Sequence, residues 1–229
     1  MTHITDDPKS TPAYRYMSLN HFDRVDDIFS HNRFYAPKYC ELNDPMEGYF
    51  VTLKKTHKDR RKKIKKILKQ RRILCFSKKY NDVLLWAHYA NGFKGICIKV
   101  EIEPCNGNEV LEVNYDMFPF SYILSNDLDD EYDNGWPRKV FKEKAKPWTY
   151  EDEIRILTEN KYVACPLPIK IEAVYFGVRI DPQLKKKLLS IIPANIECYN
   201  TRISEDEDGV VLCRRRVRGS INGATLNPD

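Results

Sequence analysis

Two carboxylates and a guanidinium stand two residues apart in Trp148-Thr149-Tyr150-Glu151-Asp152-Glu153-Ile154-Arg155-Ile156-Leu157. Read at the two-residue period of a strand, Trp148, Tyr150, Ile154 and Ile156 share one face, broken by Asp152. Glu151, Glu153 and Arg155 share the other. Same-face neighbours on a strand sit about 6.5–7 Å apart. The pattern therefore predicts a polar row mounted on an apolar strip, the rigid support a working carboxylate needs. It fits equally a half-buried strand with a solvated outer face and an ion pair.

Other residues could join that row. His88, inside Trp86-Ala87-His88-Tyr89-Ala90, could act as a general base oriented by Glu47 or Glu153. A helical histidine beside large aromatics also fits a hydrogen-bonded core position. Asp44 and Glu47 could join Glu151 and Glu153 around Mg²⁺, since hard cations take several carboxylate oxygens. That set would make a metal-dependent nuclease. The turn chemistry of Asn43-Asp44-Pro45 accounts for these residues without a metal, and none is expected.

The elements that must position these groups follow from composition and period. The 229 residues, 42% hydrophobic and 12% aromatic, are enough for one domain with a substantial core. Seven cysteines stand singly, with no CxxC, and read as reduced packing residues, which together with the polar N-terminus predicts a cytoplasmic protein. No run is long enough to span a membrane. Residues 54–72 carry twelve Lys/Arg against one acid, +11 in a chain of net +5, which leaves −6 elsewhere. This basic helix has a narrow apolar stripe, Ile64, Ile67 and Leu68. Arg60, Arg61, Lys62, Lys65 and Lys66 are its candidate contacts to nucleic acid or an acidic protein. No aromatic is interleaved, so base stacking is not indicated.

Along the chain, 1–12 reads as a disordered lead and 13–218 as one α+β domain. Strands are expected at 13–17, 33–37, 73–77, 94–102, 110–115, 148–157, 169–178, 196–203 and 210–217. The 110–115 strand is expected to form a hairpin with 94–102 across Asn106-Gly107-Asn108. Helices are expected from His21 to His31 with Asn20 as N-cap, over Val83–Ala90, and from Pro182 to Ile192 with Asp181 as N-cap. Residues 140–146 read as a helix end, 116–137 as a long acidic irregular loop, and 219–229 as a loose tail. Arg214, Arg215, Arg216 and Arg218 face the acidic turn Glu205–Asp208 as their expected partner. Strands outnumber helices without alternating with them, which predicts a single mainly antiparallel mixed sheet with short flanking helices.

Six short signatures occur in order: Tyr14-Arg15-Tyr16, Asn43-Asp44-Pro45-x-Glu47, Cys75-Phe76-Ser77, Trp86-x-His88-Tyr89-Ala90 before Lys94-Gly95, Trp148-x-Tyr150-Glu151-x-Glu153-x-Arg155, and Phe176-Gly177. Across about residues 14–180 they resemble the bacterial domain-of-unknown-function family twenty-nine seventy-one. That resemblance implies a placement and no activity, and the basic helix is not part of it. A second likeness is to ADP-ribosyltransferases, with a basic residue on an early aromatic strand, an aromatic middle segment and a late Glu-x-Glu strand. It implies an ADP-ribosyltransferase-like fold and NAD as co-substrate. Arg15, flanked by Tyr14 and Tyr16, would meet the phosphates or ribose, Tyr35 would shape the nicotinamide pocket, and Glu153 would hold the ribose hydroxyl with Glu151 as partner. No Ser-Thr-Ser is present, so the middle segment enters only as an aromatic strand. The expected function is an NAD-consuming enzyme or effector of the bacterial or phage conflict type. The alternatives are a non-enzymatic interaction or nucleic-acid-binding module, and the metal-dependent nuclease.

Overall fold

A computed structural model describes residues 11–52, 58–103, 109–116, 121–123, 136–164, 169–206 and 209–218. Its elements run β1 (Thr11–Met17), α1 (Phe22–Ser30), β2 (Arg33–Tyr35), β3 (Phe50–Thr52), α2 (Lys58–Gln70), β4 (Arg72–Ser77) and α3 (Val83–Tyr89). There follow β5 (Ile96–Ile102), β6 (Glu109–Glu112), β7 (Asn114–Asp116), β8 (Ser121–Ile123), α4 (Trp136–Phe141), β9 (Glu143–Ala145) and β10 (Glu153–Thr158). The chain closes with β11 (Tyr162–Ala164), β12 (Ile169–Phe176), α5 (Pro182–Ile191), β13 (Glu197–Asp206) and β14 (Gly209–Arg218).

Eight strands form one mixed sheet in the order β14-β13-β12-β5-β1-β4-β10-β6. Only β12 and β13 run parallel in it, as the crossover through α5 between them requires. One face carries a single apolar cluster: Leu74, Phe76, Ile98, Val100, Ile154, Ile156 and Val174 from the sheet meet Val25, Ile28 and Phe29 of α1 and Leu188 of α5. The other face carries two. Ile64 and Leu68 of α2 and Phe141 of α4 cover Ile73, Leu111 and Leu157, whereas Leu85 and Trp86 of α3 cover Tyr16, Cys97 and Tyr175. The gap between these clusters falls at the junction of β1 and β4.

That junction is barely a junction. β1 pairs with β5 along its whole length, Thr11 opposite Ile102 to Met17 opposite Ile96, but meets β4 only where Tyr14 faces Ser77. Beyond that point the strands part, and the Arg15 guanidinium donates from Nη1 to the Cys75 carbonyl at 2.6 Å. A side chain thus satisfies an oxygen that a neighbouring strand would otherwise have to serve.

Local chemistry explains the elements read correctly. Asp82 accepts from the Leu84 and Leu85 amides at the start of α3, and Asp181 accepts from Gln183 and Leu184 with Pro182 at the first turn of α5. Other expectations need correction. β6 pairs with β10, Ile154 facing Glu112, because β1 and β12 occupy both edges of β5, so the predicted hairpin does not form. Residues 140–146 end α4 and then form β9 beside β7. The early helix starts at Phe22, after a 3-10 turn over Leu19–His21 capped by Ser18 rather than Asn20. β1 begins at Thr11, inside the expected lead. Cys40 is exposed, not packed. Arg216 pairs with Glu197, and the side chains of Arg214, Arg215 and Arg218, like those of the acidic turn Glu205–Asp208, lie outside the described residues. So do most of the 116–137 stretch and the 219–229 tail. Among the described residues no helix is long and apolar enough to cross a membrane.

Two glycines let β5 and β12 close against the α3 loop. A Cβ on Gly95 would meet the Met17 carbonyl at 2.1 Å, and one on Gly177 would meet the Phe93 carbonyl at 2.2 Å. Gly92 has open space but a φ of +63°. Gly95→Ala is therefore expected to lose about 3 kcal/mol or more through forced backbone displacement, and Gly92→Ala about 1–2 kcal/mol from left-handed strain alone. Urea denaturation of the two variants would check this ranking; equal losses would refute the close-approach explanation.

Candidate functional site

The local structure around Glu151 and Glu153 differs from a continuous strand. Pro147 sits in the first turn of a 3-10 segment over Lys146–Glu151, and Asp152 turns the chain in a left-handed conformation, φ +44°. β10 starts only at Glu153, and all six of its residues are buried. Glu151 therefore comes from the turn and Glu153 and Arg155 from the strand. No solvated outer face exists, because α2 and α4 cover that side of β10.

The polar side chains converge in the buried layer. Arg155 has no exposed surface. Its Nε and Nη2 donate to the two Glu153 oxygens, both at 3.0 Å. Nη1 and Nη2 donate to Glu47 at 2.8 and 2.7 Å, and Nη1 also reaches the Phe141 carbonyl at 2.7 Å. All five N–H donors of the guanidinium are used. Lys144, delivered by β9, donates to Glu153 at 3.2 Å and makes a close contact with Glu151. The other Glu151 oxygen accepts from the Tyr89 hydroxyl, which itself accepts from Asn43 at 2.9 Å.

Protonation follows from this wiring. Burial opposes charge on Glu153, but Arg155 and Lys144 override it and hold the carboxyl at about 2. Glu47 and Glu151 are displaced upward: burial outweighs Arg155 for the first and Lys144 for the second. Burial raises the Tyr89 phenol, and the neighbouring Glu151 carboxylate adds to it. Burial and Glu153 push the Cys75 thiol up. Burial lowers the Arg15 guanidinium, and Arg24 adds like-charge repulsion.

A cleft of about 570 Å³ opens at the parted strands. Tyr14, Arg15, Tyr16, Glu151 and Glu153 line it together with His21, Arg24, Asn43, Tyr89 and Lys144. The volume suits a small-molecule ligand. Arg15 lies opposite Ile98, on the α1 side of the sheet, and Arg24 comes from α1 itself. The carboxylates rise from the opposite face, so the cleft is lined from both sides of the sheet. Neither Arg15 nor Arg24 has a carboxylate partner among the described residues. Arg24 instead lies 4.3 Å above the Tyr35 ring.

Tyr35 borders an adjoining chamber of about 180 Å³ that shares Arg15, Tyr16, His21, Arg24 and Tyr89 with the cleft. Its hydroxyl donates to Glu41 at 2.7 Å. His88 is neither in the cleft nor in the core; it is exposed on α3, against the rings of Tyr89 and Tyr150. The helix phase explains the error. Leu85 and Trp86 face inward; Tyr89 stands four positions after the first and three after the second, whereas His88 is in phase with Leu85 alone. Arg24 and Lys144 carried no sequence signal beyond being single cations. Glu47 does join Glu151 and Glu153, but Arg155 and Lys144 stand between the carboxylates, and Asp44 caps its own turn by accepting from the Met46 amide. The four-carboxylate metal site is not assembled. The polyanion candidates on α2 stand apart from the cleft lining, with Lys62, Lys65 and Lys66 exposed, Arg61 partly buried over Phe50, and the Arg60 side chain outside the described residues.

The chain matches no model of a protein family, no curated protein and no solved structure. The chemistry of the site therefore rests on its own geometry.

Because the Glu153 carboxyl is depressed from an ordinary value near 4.5, the stability it adds is complete above about 4.5 and is lost as pH falls toward about 2. Glu47 and Glu151 have the opposite sign, since protonation relieves their burial. Glu153→Gln is expected to cost about 3–5 kcal/mol at neutral pH, the usual penalty for stripping one member from a buried ion pair. The gap to the unaltered protein should narrow in urea melts as the pH is taken below about 4.5. A gap independent of pH would show that the charge of Glu153 plays no part.

Proposed function

We propose that the cleft binds a phosphate-bearing nucleotide, with NAD the candidate, and breaks its nicotinamide–ribose bond in the manner of an ADP-ribosyltransferase-like fold. The observation that carries this reading is the division of charge across the parted strands: Arg15 and Arg24 on one wall, and the Glu151–Lys144 pair on the other. Two guanidiniums facing one space, neither in an ion pair with a carboxylate among the described residues, suit a pyrophosphate bound by charge-assisted hydrogen bonds. Tyr14, Tyr16 and Tyr89 offer aromatic cover for a flat heterocycle. The likeness of the late Glu-x-Glu segment to ADP-ribosyltransferases supports the same reading.

The working carboxylate is Glu151 rather than Glu153. Both Glu153 oxygens are taken by Arg155, one of them also by Lys144. Its role is to orient Lys144 and the turn that carries Glu151. When the glycosidic C–N bond breaks, its electron pair leaves with neutral nicotinamide, and positive charge develops on the ribosyl carbon and ring oxygen. A fixed Glu151 carboxylate stabilises that charge. Water or another nucleophile then adds to the carbon and gives its proton to Glu151, whose affinity for a proton is raised by burial.

A second reading, ligand binding without turnover, is favoured by one feature: every carboxylate oxygen of Glu151 and Glu153 already accepts a hydrogen bond. Calorimetry with NAD and chromatographic assay of released nicotinamide separate the two. Arg15→Gln is expected to weaken NAD binding by about tenfold or more, as loss of a charged contact of about 1.5–3 kcal/mol implies. Glu151→Gln should retain binding and slow release by on the order of 10²–10³. Binding without release, unaltered in Glu151→Gln, would establish the second reading, and absence of NAD binding would end the first.

A further inference from the structure

We infer that α2 is a docking surface for the phosphate backbone of nucleic acid, which it holds without regard to sequence. This surface is independent of turnover in the cleft.

Among the described residues the helix is anchored on one narrow side. Ile64 and Leu68 are buried against Phe50, Ile73, Leu111, Phe141 and Leu157. Lys62, Lys63, Lys65, Lys66 and Lys69 are exposed. Four of them, Lys62, Lys65, Lys66 and Lys69, follow the i, i+3, i+4, i+7 spacing and so form one stripe, about 10 Å long at the helical rise. Like charges at this spacing repel and weaken a helix. Lys65, Lys66 and Lys69 have no ion pair with another described residue. An external polyanion removes that repulsion.

The absence of other chemistry on the stripe selects the kind of polyanion. A protein interface concentrates its binding energy in apolar and aromatic anchors at its centre. Among the described residues 61–70, the exposed positions are five lysines and Gln70. A phosphate backbone asks only for regularly spaced cations, which position it without reading its bases. The buried face of the helix, not the stripe, is linked to the cleft by packed residues. α2 rests on Val140 and Phe141 of α4, the Phe141 carbonyl holds Arg155, and β9 immediately afterwards delivers Lys144 into the cleft.

Fluorescence anisotropy with labelled mixed-sequence single-stranded and duplex DNA, from low to moderate salt, tests the proposal. For duplex DNA, four neutralised phosphates predict a slope of about −3 to −4 in log affinity against log salt. Lys62→Gln, Lys65→Gln, Lys66→Gln and Lys69→Gln combined are expected to lower affinity at low salt at least tenfold and to flatten that slope. Lys186→Gln, on exposed α5, should change neither. Circular dichroism melting of the combined variant guards against a folding defect, and the salt slope of the unaltered protein stands without any variant. Calorimetry with NAD should be the same in the combined variant as in the unaltered protein, so the failure of one proposal is separable from failure of the other. Unchanged DNA affinity in the combined variant, no binding by the unaltered protein at low salt, or tighter binding to polyglutamate than to DNA would each overturn the assignment.

Discussion

A guanidinium with no exposed surface cannot give up its charge, so everything around Arg155 has to be arranged to receive it. Its five donors go to Glu47, Glu153 and the Phe141 carbonyl. Those acceptors lie in three different parts of the chain: the turn after Asn43, strand β10 and the end of α4. Through Glu153 the arrangement extends to Lys144 and Glu151, and from there to Tyr89 on α3. One buried cation thus fixes the relative positions of segments that share no sheet hydrogen bonds. A pair of this kind adds little net stability over an apolar replacement, but is costly to break. Its consequence here is geometric.

The parting of β1 from β4 is the second constraint, and it depends on the first. Strands that separate leave carbonyls and amides to be satisfied, and a polar cleft through a sheet would flood a continuous apolar core. Here the Cys75 carbonyl is taken by Arg15, and the apolar cover on that face is already divided between the α2–α4 cluster and the α3 cluster. The polar network occupies the division. The opposite face keeps a single cluster, with the Phe34 and Phe76 rings edge to face beneath β4. That continuous cluster holds the sheet together where β1 and β4 part.

Charge is separated across the opening in a way that chain order hides. Arg15 and Arg24 belong to the first strand–helix unit, while Glu151, Glu153 and Lys144 arrive more than a hundred residues later. Arg24 is close enough to Arg15 for like-charge repulsion to lower the Arg15 guanidinium, while Glu153 acts in the opposite direction.

Local pattern was enough for elements whose signals are local. β4, α3 and α5 follow from apolar period, and α5 also from its cap at Asp181, because a cap is decided within four residues. The grouping of Glu151, Glu153 and Arg155 was also legible, although the strand argument behind it was incomplete: Asp152 turns the chain, and the three meet through Lys144 and Glu47. What sequence spacing could not decide was partnership at a distance. Nothing near Glu109–Glu112 says that β10 rather than β5 will pair with it, since both strands offer similar apolar edges, and the choice depends on β1 and β12 occupying β5 first. Likewise Lys144, Arg24 and Tyr89 are ordinary residues until the fold sets them against a buried carboxylate or an open seam. By itself the sequence determined which residues could carry charge, that α1, α2, α3 and α5 would be helical and that α2 would be intensely basic. Only the tertiary structure decided which charges meet, because burial and pairing arise from segments far apart in the chain.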